Sequence, residues 1–120
     1  MKKILVVDDN QDITDMAKEM LEFYGYSCTT ANSGRSCLNI LRSEPFDLIL
    51  LDVAMPEVTG IDVLRTVKGD SNLKHIRIVF FTASSVTDGD MKELIGQGAL
   101  DCVRKPLGKE KLLAVVQRYA

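Results

Sequence analysis

Asp8, Asp9, Asp52, Thr82 and Lys105 are the residues of this 120-residue chain whose types and spacing could carry chemistry. Asp8 and Asp9 follow the apolar run Ile4–Val7, and Asp52 follows Leu48–Leu51. Thr82 follows Ile78–Phe81, and Lys105 follows Asp101–Arg104 and precedes Pro106. Three carboxylates, a hydroxyl and an ammonium make a site for a divalent cation and a phosphoryl group. Carboxylates about 4 Å apart repel by roughly 4 kcal/mol per pair at an effective dielectric near 20. Without a cation one of them must protonate or turn away. Hard oxygen ligands suit Mg²⁺, which takes few carboxylates and keeps several waters. A carboxylate beside such a cation can attack phosphorus and form an acyl phosphate, and Lys105 would help neutralise the phosphoryl oxygens. Paired acids after a strand could instead cap the following helix. Asn10 and Asp12 already offer that cap, so neither Asp8 nor Asp9 is needed for it.

These residues can meet only if the apolar runs that precede them are parallel strands of one sheet. Ligands of open α/β sheets bind at the carboxyl ends of the strands. The rest of the chain fits that requirement. Ile4–Val7 is continuous and rich in β-branched residues, as a strand buried on both faces should be. Ile13, Met16, Ala17, Met20, Leu21 and Tyr24 then recur at helical spacing until Gly25. Ser27–Ala31 reads as a less apolar strand at an edge. Ser33 opens a second helix carrying Cys37, Leu38, Ile40 and Leu41, and Pro45 ends that region. Leu48–Leu51 is a third strand, Gly60 to Lys68 a third helix, and Ile76–Phe81 a fourth strand. A polar stretch from Ser84 to Asp90 leads into a helix with Met91, Leu94 and Ile95. Cys102 and Val103 mark a short fifth strand, and Leu112, Leu113, Val115 and Val116 line a last helix. Five strands alternating with five helices predict a doubly wound parallel sheet of the α/β class, covered on both faces.

The totals agree with this reading. A chain of 120 residues suits one domain, residues 1–120, with a single core. Net charge is −2 with the signs mixed, which argues against a nucleic-acid or anionic-membrane surface. No stretch could span a bilayer. The start, Met1-Lys2-Lys3 and four apolar residues, is too short for a signal peptide and ends at Asp8. Cys28, Cys37 and Cys102 lack zinc-site spacing and suit a reducing cytoplasm. His75 falls in a polar segment away from the crevice and reads as a solvated loop residue.

Taken together, Val6-Val7-Asp8-Asp9-Asn10, Leu50-Leu51-Asp52-Val53-Ala54-Met55-Pro56 with Gly60, Phe81-Thr82-Ala83, and Gly98-Ala99 before Lys105-Pro106 resemble the receiver domain of two-component response regulators. The resemblance covers Lys2 to about Tyr119. It implies a flavodoxin-like (βα)5 fold with strand order 2-1-3-4-5. It implies that Asp52 is the phosphoacceptor, taking a phosphoryl group from a phosphohistidine on a sensor histidine kinase or histidine phosphotransfer protein. Asp8, Asp9, Asp52 and the backbone carbonyl of Ala54 would hold Mg²⁺, and Thr82 and Lys105 would contact the phosphoryl group. The chain would be a single-domain, CheY-like signalling module or a receiver cut from a larger protein, and not a turnover enzyme. The surface of the fourth helix, fifth strand and fifth helix would meet an effector or a second copy.

The pattern departs from the family at Cys102. The family usually has an aromatic switch residue there, three before the lysine, and a cysteine cannot sweep out comparable area. Signalling is therefore expected to rely on the loop after Thr82 and on the fourth helix. Ala54 and Ser84 occupy positions that tune acyl-phosphate hydrolysis in the family, and both are small. Three other readings compete. A phosphorylation-independent interaction module would usually lack one of the five crevice residues. An aspartyl phosphatase would need a general acid two residues beyond its nucleophile, where Ala54 and Gln11 stand. A dinucleotide site would need a G-x-G-x-x-G after the first strand, and none is present.

Overall fold

A computed structural model describes every residue except Ser84. The elements alternate as β1 (Lys3–Val7), α1 (Gln11–Phe23), β2 (Ser27–Ala31), α2 (Gly34–Ser43), β3 (Leu48–Asp52), α3 (Gly60–Gly69), β4 (Arg77–Thr82), α4 (Asp88–Gly96), β5 (Asp101–Arg104) and α5 (Lys109–Tyr119). All strand pairs are parallel, and the sheet order is β2-β1-β3-β4-β5. The apolar runs end up in the centre, where both faces are covered, and β2 lies at an edge as its composition predicts.

The pleat divides the core into two layers. Leu5, Val7, Ile49, Leu51, Ile78 and Phe80 pack against α2, α3 and α4. Their chain neighbours Ile4, Val6, Leu48, Leu50, Val79 and Phe81 pack against α1 and α5. Alternate residues of one strand thus serve opposite layers. Each helix contributes only a stripe: Ala17, Met20 and Leu21 from α1, and Leu112, Val115 and Val116 from α5.

Local signals place most helix ends. The Asn10 side chain accepts a hydrogen bond from the Asp12 N–H at the start of α1. Ser33 caps α2 through the Ser36 N–H. Thr59 and Asp62 form a reciprocal capping box at α3, which satisfies two orphan donors at once. Gly25 follows α1 with a φ of 89°, in the left-handed region where glycine carries no steric penalty. His75 is exposed in the loop before β4, as expected. Cys28, Cys37 and Cys102 are buried and unpaired, and burial pushes the thiols of Cys28 and Cys37 up to about 12. Among the described residues, no helix is long and apolar enough to cross a membrane.

Candidate functional site

The order of the sheet brings the carboxyl ends of β1, β3, β4 and β5 side by side. Asp52 and Thr82 are the last residues of β3 and β4, and Asp8 is the first residue after β1. Asp8, Asp52 and Thr82 are 1%, 5% and 2% exposed, the buried polar residues of the sheet edge. One carboxylate oxygen from each of Asp8, Asp9 and Asp52 can be chosen so that all three lie within 4.8 Å of one another. Asp9 stands on the solvent side. Asp8 and Asp9 thus reach one site from unequal positions: one is buried and the other closes the site from outside, because successive side chains diverge where the strand ends.

Lys105 enters from the end of β5. Its Nζ donates to Asp8 Oδ2 at 2.8 Å and lies 3.5 Å from Asp52 Oδ1. The Lys105–Pro106 peptide is cis. The Lys105 N–H donates to the Thr82 carbonyl at 2.7 Å, which joins the β4 and β5 ends of the crevice. Asp8 is held on its other side by the Asn10 N–H, at 2.9 Å from Oδ1.

Electrostatics follow from this packing. Burial, and then the neighbouring Asp8 charge, push the Asp52 carboxyl up to about 6 against the pull of Lys105 and of the Ala54 N–H. Asp52 is thus ionised at neutral pH but held at a cost. Burial opposes the charge on Lys105, yet bonds and attraction from Asp8 and Asp52 outweigh it and raise its pKa. One ammonium serves two buried carboxylates, so the site is short of positive charge. A hard divalent cation fits this donor set, with oxygen ligands only and room on the side of Asp9 for water.

Lys105→Met is expected to lower the stability of the metal-free protein by about 2–3 kcal/mol at pH 7.5. Removing one partner of a fully buried pair costs roughly 3–5 kcal/mol, and Lys105 is partly exposed, 28% for the side chain. The loss should shrink near pH 5, where Asp52 can take up a proton, and on addition of Mg²⁺. Urea unfolding at both pH values, with and without Mg²⁺, checks this. An equal loss under all conditions would mean that packing of the lysine stem is at stake and not its charge.

Residues 4–117 match the profile of a family described as the response regulator receiver domain. The chain belongs to that family. Among its relatives, the polar-differentiation response regulator DivK of Brucella ovis is 31% identical over 119 residues, covering 98% of this chain and 95% of DivK. The chemotaxis response regulator CheY4 of Vibrio cholerae superposes with a TM-score of 0.92 at 33% identity, covering 100% of this chain and 99% of that one. The receiver domain of a signal transduction histidine kinase from Syntrophus aciditrophicus gives 0.87 at 31% identity, over 99% and 89% of the two chains. Receivers are signalling modules of two-component systems rather than turnover enzymes, and the strand order 2-1-3-4-5 implied by the resemblance is the one observed.

The receiver site contains one group that its sequence motifs do not name. Asn32, just after β2, donates to the Asp8 carbonyl at 2.9 Å and to the buried Thr14 hydroxyl at 3.0 Å. It fixes the backbone that carries the first carboxylate. An asparagine leaving a strand on the crevice side was the available signal. Gly60 supports Asp52 from beneath, its N–H donating to the Val53 carbonyl at 2.9 Å. Ala54 lies in the exposed loop after β3, and Ser84, its small counterpart after Thr82, lies outside the described residues. An open, largely apolar cavity of about 450 Å³ adjoins the crevice, lined by Ile13, Met16, Phe81, Pro106 and Leu107 beside the Lys105 stem.

Proposed function

We propose that this receiver is a phosphoacceptor switch in which Asp52 takes a phosphoryl group from a phosphohistidine on a sensor histidine kinase or histidine phosphotransfer protein. The observation that carries the reading is the convergence of three carboxylates within 4.8 Å of one another, two of which, Asp8 and Asp52, Lys105 also reaches. Asp52 provides the nucleophilic oxygen, the new P–O bond forms as the P–N bond to imidazole breaks, and the imidazole leaves. Asp8, Asp9, Asp52 and the Ala54 carbonyl are the ligands assigned to Mg²⁺, which when bound screens the charge on the phosphoryl oxygens. Lys105 exchanges its bond on Asp8 for one on the phosphoryl group, and the Thr82 hydroxyl donates to another of its oxygens. Hydrolysis by water at phosphorus returns inorganic phosphate and the Asp52 carboxylate. In the metal-free protein a pKa of about 6 leaves Asp52 ionised at pH 7, the state a nucleophilic carboxylate needs.

The apolar cavity beside Lys105 supports a protein donor, because it offers buried area next to the transferring group. The face formed by α4, β5 and α5 is assigned to an effector or a second copy. Its α4 and β5 side presents Ile95 and Leu100, 40% and 46% exposed, and its α5 side presents Lys111 and Arg118. A cytoplasmic location suits buried free thiols and a cytoplasmic phosphodonor.

Intact mass after incubation with Mg²⁺ and acetyl phosphate tests the reading. The wild type is expected to gain one phosphoryl group, with no gain for Asp52→Asn or in the presence of chelator. No gain by wild type from acetyl phosphate or from a phosphohistidine donor, with Mg²⁺ binding established separately, would favour a phosphorylation-independent interaction module.

A further inference from the structure

Arg104 is the last residue of β5 and directly precedes Lys105. Its guanidinium leaves the sheet to reach the chain between β4 and α4. Nε and Nη2 both donate to the Val86 carbonyl, at 3.2 and 3.0 Å, and Nη2 pairs with Asp88 Oδ1 at 2.5 Å. Val86 lies in the β4–α4 loop, and Asp88 is the first residue of α4. The loop is therefore tied to β5 at both ends by adjacent residues. Lys105 holds the Thr82 carbonyl and Arg104 holds Val86 and Asp88.

The buried Cys102 occupies the position expected to carry an aromatic side chain. A crevice of about 320 Å³ lies on the same side, lined by Val53, Ile61, Thr82, Val86 and Leu94 among others. A cysteine side chain is too small to report on that space. The Arg104 fork bridges the strand and the loop above it instead. Asp88 is 84% exposed, and an exposed ion pair contributes little. The two bonds to the Val86 carbonyl are fixed by the planar fork of the guanidinium, a geometry that lysine cannot reproduce.

We propose that Arg104, through its forked hold on Val86, is the residue that passes the state of the Asp52 crevice to the amino end of α4. The proposal rests on the phosphoacceptor reading. When Thr82 and Lys105 turn to a phosphoryl group on Asp52, both ends of the β4–α4 loop are perturbed at once. Arg104 is the ladder partner of Thr82 and the chain neighbour of Lys105, so their shift displaces it, its hold on Val86 gives way and the first turn of α4 loosens.

Amide hydrogen exchange of the full chain, before and after phosphorylation with Mg²⁺ and acetyl phosphate, tests this. The reporters are the N–H groups of Val86, Asp90 and Met91, which donate to Ala83 O, Thr87 Oγ1 and Thr87 O. In wild type their exchange is expected to rise by about tenfold on phosphorylation, a local opening within the ordinary range. Arg104→Met and Arg104→Lys should gain the phosphoryl group by mass, show raised exchange beforehand, and change by less than about twofold afterwards. Asp88→Asn should follow wild type. Wild-type baseline and response in both Arg104 variants would overturn the proposal, as would unchanged exchange in phosphorylated wild type. Those results leave the phosphoacceptor reading standing, whereas failure of every variant to gain mass removes that reading and the coupling together.

Discussion

Asp52→Asn is expected to make the metal-free protein more stable by about 2–3 kcal/mol at pH 7.5, while abolishing phosphorylation. The folded protein holds the Asp52 carboxyl at about 6, against an ordinary value of 3.8. Each tenfold change in a proton equilibrium is about 1.4 kcal/mol. The folded pKa is raised, so this group favours the fold fully below pH 3.8 and loses that contribution as pH rises to about 6. Above that window the ionised carboxylate opposes folding by about 3 kcal/mol, already net of the attraction of Lys105. An asparagine can keep the bond from the Ala54 N–H without the charge. Urea unfolding of both proteins at pH 7.5, 6, 5 and 4 without Mg²⁺ should show the difference closing as pH falls. Saturating Mg²⁺ should also close it from the other side, by stabilising wild type through mass action. A difference that ignores both pH and Mg²⁺ would mean that strain or hydration, and not charge, sets the cost of Asp52.

Gly60→Ala should have the largest effect in the opposite direction. A Cβ at Gly60 would collide with the Asp52 carbonyl oxygen and lie 2.9 Å from Val53 Cα and 3.0 Å from the Phe80 ring. Two of these neighbours are backbone of β3 and its loop, which cannot rotate away as a flexible side chain can. A loss of about 3 kcal/mol or more is expected, at the upper end of overpacking costs. The remaining folded protein should also be phosphorylated on the order of a hundredfold more slowly, since small displacements of a reacting group cost that much. Gly69→Ala is the control, because nothing lies within 4 Å of its added Cβ. Urea midpoints and the rate of mass gain from acetyl phosphate read the two effects separately. Equal behaviour of the two variants would show that β3 can shift away from α3 at little cost.

The fold was legible because its central strands are buried on both faces and so appear as unbroken apolar runs, such as Leu48–Leu51, each followed by a polar residue at the crevice. Caps at Asn10, Ser33 and Thr59 act within a few residues of sequence, and the first two could be anticipated from composition alone. Two features were not legible for a physical reason. The inequality of Asp8 and Asp9 arises from the direction in which the chain leaves β1, which composition does not encode. The contacts of Asn32 with Asp8 and of Arg104 with Val86 join residues 24 and 18 positions apart. Asn32 is marked only by its place at a strand end, and nothing near Arg104 in the sequence points to Val86. Thr82 itself was read as following its strand, whereas it pairs with Arg104 as the last residue of β4.

The alternation of β4 has a wider meaning. Phe81 and Ala83 border the cavity on the α1 and α5 side, next to the Lys105 stem. Thr82, between them, borders the crevice on the α3 and α4 side. The two-residue period of a single strand thus sends neighbouring residues to opposite faces of the sheet beside the crevice. On the proposed phosphoacceptor reading, a change at Asp52 is presented to both layers at once, through Phe81 to one and Thr82 to the other.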